Sequence, residues 1–146
     1  MKSIALALML FAGSAWSQVE IAEPWIRATP PGAKVAAGYM TIRNKSAQPE
    51  RLLGGSSPAA AKVETHVQVK DGDILRMREV KGFEIPANGS FELKPGGAHL
   101  MLVDPRKPLK EGEKVPVVLK FEKSGEVKVE FEVRPLAASA SGHHQH

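Results

Sequence analysis

The sequence predicts an all-β domain, a β-sandwich or barrel, from three observations. Short runs alternate between apolar and polar side chains, which is the two-residue period of a half-buried strand. Gly and Pro cluster between these runs, where turns require them. No stretch has the 3.6-residue apolar period of an amphipathic helix. We therefore expect strands alone to build the domain.

Nine runs meet the strand criterion, in chain order. They cover residues 19–22, 36–44, 50–54, 63–69, 74–80, 90–93, 98–103, 115–121 and 127–133. The intervening segments contain turn residues, because Pro fixes φ while Gly and Asn tolerate positive φ. The clearest of these turns are Thr29-Pro30-Pro31-Gly32, Pro86-Ala87-Asn88-Gly89, Lys94-Pro95-Gly96-Gly97 and Ser124-Gly125.

The N-terminus has the pattern of a secretory signal peptide. Lys2 precedes an apolar run from Ile4 to Ala12, and small residues follow up to Ser17. This run is about half the 20 residues that a bilayer requires, so we expect cleavage rather than membrane insertion. The predicted organisation is a signal peptide at 1–17, one domain at 18–136 in the periplasm, and a mobile tail at 137–146.

Composition excludes several classes of function. The chain has no Cys, so disulfides, thiol redox chemistry and a lipid anchor on cysteine are not expected. The net charge of +4 is small, and the basic residues are scattered, so no nucleic-acid partner is predicted. No nucleophile lies beside a base, and Glu64 and Glu79 are interpreted as solvated strand residues. We therefore predict that the protein is not an enzyme.

The residues that can bind a soft metal are few and grouped. Outside the signal peptide the methionines are Met40, Met77 and Met101, and the domain has only two histidines, His66 and His99. Met101 follows His99 by two residues on one predicted strand, so both side chains point to the same face. The alternating Leu100 and Leu102 then face the core. Met40 has no His neighbour and is expected to pack in the core.

A predicted hairpin supplies the second pair. Asp71-Gly72 between two alternating runs is a strong two-residue turn signal. If Lys70 lies opposite Asp73, His66 lies directly opposite Met77. The other face, with Val63, Val67, Val69, Ile74 and Val80, is then expected to be core.

Two imidazoles and two thioethers select the metal by their softness. Copper(I) accepts both donors, whereas calcium and magnesium require oxygen and zinc seldom takes a thioether. A blue-copper electron carrier would need a Cys thiolate, which is absent. The predicted cofactor is one copper(I) ion on His66, Met77, His99 and Met101.

These residues resemble the signature of the periplasmic copper-A chaperone family, PCu(A)C. His66 and Met77 are separated by ten residues, and Met77 and His99-Leu100-Met101 by twenty-one. The resemblance extends to further segments, namely Glu23-Pro24-Trp25-Ile26-Arg27-Ala28-Thr29-Pro30-Pro31-Gly32, Gly38-Tyr39-Met40, Asp71-Gly72 and Pro95-Gly96-Gly97-Ala98.

The resemblance implies a cupredoxin-like Greek-key β-sandwich or barrel that binds copper(I). It also implies delivery of the ion to the copper-A centre of cytochrome c oxidase, so the expected partner is a subunit of that oxidase or another copper chaperone. One departure is Val67, where many family members have Met. Because Val67 is expected to face the core, the primary site should be retained.

The C-terminal His143, His144 and His146 resemble the metal-binding extensions of some family members. Three imidazoles without sulfur suit copper(II), so the tail is a predicted second copper site, with a residual purification tag as the alternative. Two further alternatives remain for the whole protein. One is copper sequestration for tolerance without a dedicated recipient, and the other is a metal-free adhesion or ligand-binding sandwich. We expect a monomer, with a copper-bridged dimer as the alternative.

Overall fold

A computed structural model describes residues 18–135, and these residues form strands and loops without a helix. The all-β prediction is confirmed. Ten strands follow one another along the chain: β1 Val19–Arg27, β2 Val35–Asn44, β3 Glu50–Ser56, β4 Ala60–Asp71, β5 Ile74–Glu79, β6 Phe83–Ile85, β7 Ser90–Leu93, β8 Ala98–Pro105, β9 Lys114–Phe121 and β10 Gly125–Arg134.

Seven of these strands close into a mixed barrel. Their order around the barrel is β4, β8, β2, β1, β10, β9 and β3, and pairing of β3 with β4 completes the ring. The β1–β10 pair is parallel, and the other neighbours are antiparallel. The remaining strands β5, β6 and β7 extend from β4, β3 and β2. Closure leaves few exposed backbone edges, which protects an all-β domain from edge pairing.

The barrel interior holds the hydrophobic core, and strand alternation determines which residues enter it. Along β8, Leu100 and Leu102 are fully buried core residues, so the intervening His99 and Met101 point outward. Met40 lies in the core as predicted. Other fully buried core residues are Ile26, Ile42, Leu52, Ile85, Leu119 and Phe131.

The hairpin of β4 and β5 corrects one prediction. Gly72, with φ of 61°, and Asp73 form the turn, and Asp71 lies opposite Ile74. His66 therefore lies opposite Glu79, and Met77 lies opposite Gln68. The expected His66–Met77 pair is wrong by two residues. A two-residue shift preserves the face of each side chain, so Met77 remains on the His66 face.

The predicted core face of this hairpin is also partly wrong. Val63 is buried and Val67 is partly buried against the core, but Val69 is 36% exposed and Ile74 is 56% exposed. The hairpin thus extends beyond the barrel, and its distal residues have no core to pack against. Strand β6 is a further element that the alternation pattern did not predict.

The signal peptide at 1–17 and the tail at 137–146 lie outside the described residues. Within 18–135, no helix has the length and apolar character that membrane crossing requires.

Glu50 joins β3 to the turn between β9 and β10. Its buried carboxylate accepts hydrogen bonds from the backbone N–H groups of Arg51, Lys123 and Ser124 at 2.9 Å, and from the Ser124 hydroxyl at 2.8 Å. Burial alone would raise the pKa of Glu50, but these hydrogen bonds together lower the pKa below its usual value. The charged form is therefore the one that stabilises the fold.

We expect Glu50→Gln to lower the free energy of unfolding by about 2 kcal/mol at neutral pH, the value typical of charge-assisted hydrogen bonds. Because the folded pKa is lowered, the contribution of Glu50 is complete above the unfolded pKa and is lost as pH falls through the folded pKa. Chemical denaturation at neutral and acidic pH measures both effects. The exposed Glu84→Gln is the control, and an equal loss in both variants would contradict the prediction.

Candidate metal centre

The candidate site lies on the outer face of the barrel, where β4 and β8 pair. His66 lies directly opposite His99, and Glu64 lies directly opposite Met101. All four side chains share the outer face because the alternate residues of β8 enter the core. The predicted placement of His99 and Met101 on one face is confirmed. Strand pairing also adds His66 to that face.

His99 is oriented as a metal ligand would be. Its side chain is 2% exposed, and its Nδ1 lies 3.2 Å from the carbonyl oxygen of Gly97. Donation from Nδ1–H to this carbonyl leaves a lone pair on Nε2, which is buried and has no hydrogen-bond partner among the described residues. Backbone carbonyls commonly orient metal-binding imidazoles in this way.

The pKa of His99 is lowered from its usual value. Burial is the main cause, the Gly97 carbonyl opposes it, and the nearby His66 adds to it. A lowered pKa keeps the imidazole neutral near pH 7 and reduces competition between a proton and a metal ion. His99 is therefore available to a metal without a large protonation cost.

His66 is the neighbouring imidazole. The ring centroids of His66 and His99 are 5.8 Å apart. Nε2 of His66 lies 3.4 Å from Oε1 of Glu64, while Nδ1 is buried without a hydrogen-bond partner among residues 18–135. Burying an unpaired polar atom is costly. The residues that the structure describes contain three such side-chain atoms: Nδ1 of His66, Nε2 of His99 and Nε of Arg27. Two of the three thus belong to adjacent imidazoles.

The two thioethers of the predicted set occupy different environments. Met101 is 6% exposed, whereas Met77 is 55% exposed on the projecting hairpin. Met77 is diagonal to His66, since Glu79 takes the opposed position. Diagonal neighbours across a strand pair are separated by about 7–8 Å at Cα, which a long flexible side chain can span. Met101 is thus enclosed by its neighbours, while most of the Met77 side chain is in contact with solvent.

Two carboxylates adjoin His66, and the interpretation of both as solvated strand residues holds for Glu79, which is exposed, and in part for Glu64. One ligand atom each from Glu64, His66 and Glu79 lie within 4.8 Å of one another. The Glu64 side chain is only 25% exposed. A correct hairpin register would have revealed this group, because it places Glu79 opposite His66.

An aromatic layer continues the row on the other side of His99. The Tyr39 ring lies 6.5 Å from the His99 ring, and Trp25 lies 4.7 Å from Tyr39. The guanidinium groups of Arg27 and Arg134 lie over Tyr39 and Trp25 at 5.8 and 5.5 Å. Trp25 and Tyr39 are buried although they face away from the barrel core. This layer removes water from one side of the His99 ring.

The donors gathered here are those that a soft metal ion prefers. Two imidazole nitrogens without partners among the described residues lie on the same outer face as the buried thioether of Met101, and Met77 carries a second thioether on the hairpin. Such a set suits copper(I) better than ions that prefer oxygen. The three tail histidines, His143, His144 and His146, lie outside the described residues.

Comparison with solved structures places the fold among copper-related domains. The copper-bound PCuAC domain from PmoF2 superposes with a TM-score of 0.70 at 30% identity, covering 81% of this chain and 93% of that domain. The copper(I) form of DR1885 from Deinococcus radiodurans gives a TM-score of 0.66 at 32% identity, covering 84% and 81% of the two chains. The cupredoxin-like β-fold expected from the sequence is confirmed.

Comparison with protein sequences identifies the family. "Putative lipoprotein Lxx21020" from Leifsonia xyli subsp. xyli is 33% identical over 104 residues, which are 70% of this chain and 61% of that protein. The chain thus spans about three fifths of the length of the curated relatives that it matches, 61% and 60%. The family model described as "Putative lipoprotein LpqE-like" matches residues 19–133. The chain therefore belongs to the LpqE-like family.

Proposed function

We propose that this protein binds one copper(I) ion through His66, His99, Met101 and Met77 and carries it, outside the cytoplasm, to a protein that requires copper. The observation that carries this proposal is the pair of buried, unpartnered ring nitrogens on adjacent strands, His66 Nδ1 and His99 Nε2. A metal ion would satisfy both atoms. No side chain among the described residues forms a hydrogen bond with either nitrogen.

The structural neighbours support copper as the metal. Both a copper-bound PCuAC domain and a copper(I) form of DR1885 share this fold at 30% and 32% identity. The thioethers support the lower oxidation state, because Met is a soft donor. We propose that the chain is a carrier and not an enzyme, since its four donors complete a coordination shell and leave no position for a substrate.

A location outside the cytoplasm is supported by two features. The family description names a lipoprotein, and the first 17 residues have the pattern of a signal peptide. The proposed recipient is the copper-A centre of cytochrome c oxidase or another copper chaperone, as the resemblance to PCu(A)C implies. We propose that the carrier is a monomer whose exposed hairpin is the side from which copper leaves.

An anaerobic titration tests the binding step. The chain from Gln18 onward competes for copper(I) with a chromogenic chelator. We expect one tight equivalent, and absence of tight binding would contradict the proposal. A second step incubates the loaded protein with a soluble copper-A domain. Copper transfer supports delivery, whereas retention by the loaded protein would indicate sequestration.

Met77 should govern release more than affinity. Because Met77 is 55% exposed on a projecting hairpin, we expect Met77→Ala to weaken copper(I) binding by about tenfold, the low end of the effects known for residues that support a metal site. Copper(I) should also dissociate faster from Met77→Ala than from the parent protein. Stopped-flow transfer of copper(I) to a chelator measures this rate. Leu75→Ala, an equally exposed change on the same strand and face, is the control. Equal rates for Met77→Ala and the parent would contradict an exchangeable role.

A further inference from the structure

A second group of metal-binding side chains lies beside the soft donors and contains no sulfur. Glu79 on β5 lies directly opposite His66 on β4, and Glu64 precedes His66 by two residues on the same face. One ligand atom from each of the three lies within 4.8 Å of the others. The group therefore results from strand register and not from a loop conformation.

The charge of this group is uncompensated. Among residues 18–135, neither Glu64 nor Glu79 forms an ion pair with Lys or Arg, and the one contact of this type is Glu64 with His66 at 3.4 Å. Both carboxylates line a cleft of about 500 Å³ that is open to solvent, and Lys81 lines the same cleft. The two carboxylates therefore lie beside His66 without a Lys or Arg ion-pair partner among the described residues, an arrangement that favours a bound cation.

The geometry is close to that of a bound ion. Nitrogen and oxygen ligands lie about 2.0–2.2 Å from a zinc ion, so ligand atoms that share one ion are about 3–4 Å apart. Closing from 4.8 Å requires a movement of about 1 Å, which rotation of the exposed Glu79 side chain can supply. The ring nitrogen of His66 on the carboxylate side is Nε2, which lies 3.4 Å from Oε1 of Glu64.

We propose that Glu64, His66 and Glu79 form a second site that binds a divalent transition-metal ion, zinc(II) or copper(II), next to the copper(I) site. One imidazole and two carboxylates are the donors that these ions accept, whereas the thioethers of the first site suit copper(I). His66 belongs to both sets. Glu79 lies beside His66 on β5 and His99 lies beside it on β8, so the same outer face offers oxygen donors and soft donors around one imidazole. The inference shares only His66 with the proposed function.

Zinc(II) alone is the probe, and competition with a zinc chromophore measures its binding. The parent protein is the full chain with His143, His144 and His146 changed to Ala, so that the tail does not contribute. We expect one zinc equivalent. Glu79→Gln should weaken zinc binding at least about tenfold and leave copper(I) affinity unchanged, while Glu126→Gln, an exposed carboxylate on β10, should change neither.

Met101→Leu separates this site from the copper(I) site. It should leave zinc affinity unchanged and weaken copper(I) binding. The inference is overturned if the parent binds no zinc, if Glu79→Gln binds zinc as tightly as the parent, or if Met101→Leu loses zinc. If Met101→Leu keeps full copper(I) affinity, the proposed function is contradicted instead. The zinc inference does not depend on that outcome, because zinc binding is assigned to the two carboxylates and His66.

Discussion

Replacing His99 with Ala is expected to weaken copper(I) binding by at least about a hundredfold. Loss of a residue that merely orients a metal ligand costs about 10–100-fold in affinity, and His99 is proposed to be a ligand itself. The change removes the buried, unpartnered Nε2, which costs no hydrogen bond, and also the hydrogen bond from Nδ1 to the Gly97 carbonyl, so the stability of the variant must be measured beside its affinity. Anaerobic chelator competition gives the affinity, and thermal unfolding tests the fold.

Met101→Leu should act in the same direction, because the leucine side chain fills a similar volume but lacks sulfur. Met40→Leu is the matched control, since Met40 is equally buried but lies inside the barrel core. We expect Met40→Leu to bind copper(I) normally. Normal copper(I) binding by either His99→Ala or Met101→Leu would contradict the assignment of the site.

Replacing Trp25 with Ala is expected to lower the free energy of unfolding by about 3–5 kcal/mol, the range for deletion of a buried large aromatic side chain. Trp25 is 1% exposed, packs against Tyr39 in a tilted arrangement and lies under Arg134. Because it supports the ring next to His99, copper(I) affinity should fall as well, although less than in His99→Ala. Urea unfolding and the chelator assay measure the two effects.

Trp25→Phe serves as the comparison variant for this prediction. Phe retains most of the stacking surface on Tyr39, so we expect a stability loss well below that of the Ala variant and near-normal copper(I) binding. A loss below about 1 kcal/mol in Trp25→Ala would show that the aromatic layer contributes little to the fold. That result would contradict the role assigned to the layer here.

Alternation of apolar side chains was sufficient to predict the all-β fold and the inner and outer faces of β8. The pattern His99, Leu100, Met101, Leu102 has a two-residue period, so the buried leucines fix the direction of the other two side chains. Strand β6, Phe83–Ile85, was missed because three residues are too few to show a period. It forms through tertiary pairing with β3, which no local pattern reveals.

The hairpin register could not be settled from its turn alone, because the sequence contains both Asp71-Gly72 and Gly72-Asp73. In the structure Gly72 is the first central residue of the turn and has a positive φ. Asp73, the second central residue, does not have a positive φ. This pattern matches a type II′ turn and not the type I′ turn that Asp-Gly favours. The shift of two residues leaves Met77 on the predicted face of the hairpin. It places Glu79, and not Met77, opposite His66.

The pairing of β4 with β8 was likewise beyond sequence reasoning. These strands are separated by β5, β6 and β7 in the chain, and only closure of the barrel brings His66 opposite His99. The same holds for the aromatic layer. Trp25 and Tyr39 lie in segments that resemble the PCu(A)C family, but no local pattern indicated that they adjoin the candidate site. The sequence therefore indicated the candidate donors, and the strand topology determines which residues lie beside them.

X-ray absorption at the copper edge of the copper(I)-loaded chain tests the central claim most directly. The account predicts two nitrogen ligands at about 2.0 Å and two sulfur ligands at about 2.3 Å, distances typical of these donors around a metal of this size, with one sulfur lost in Met77→Ala. A first shell made only of nitrogen and oxygen would contradict it.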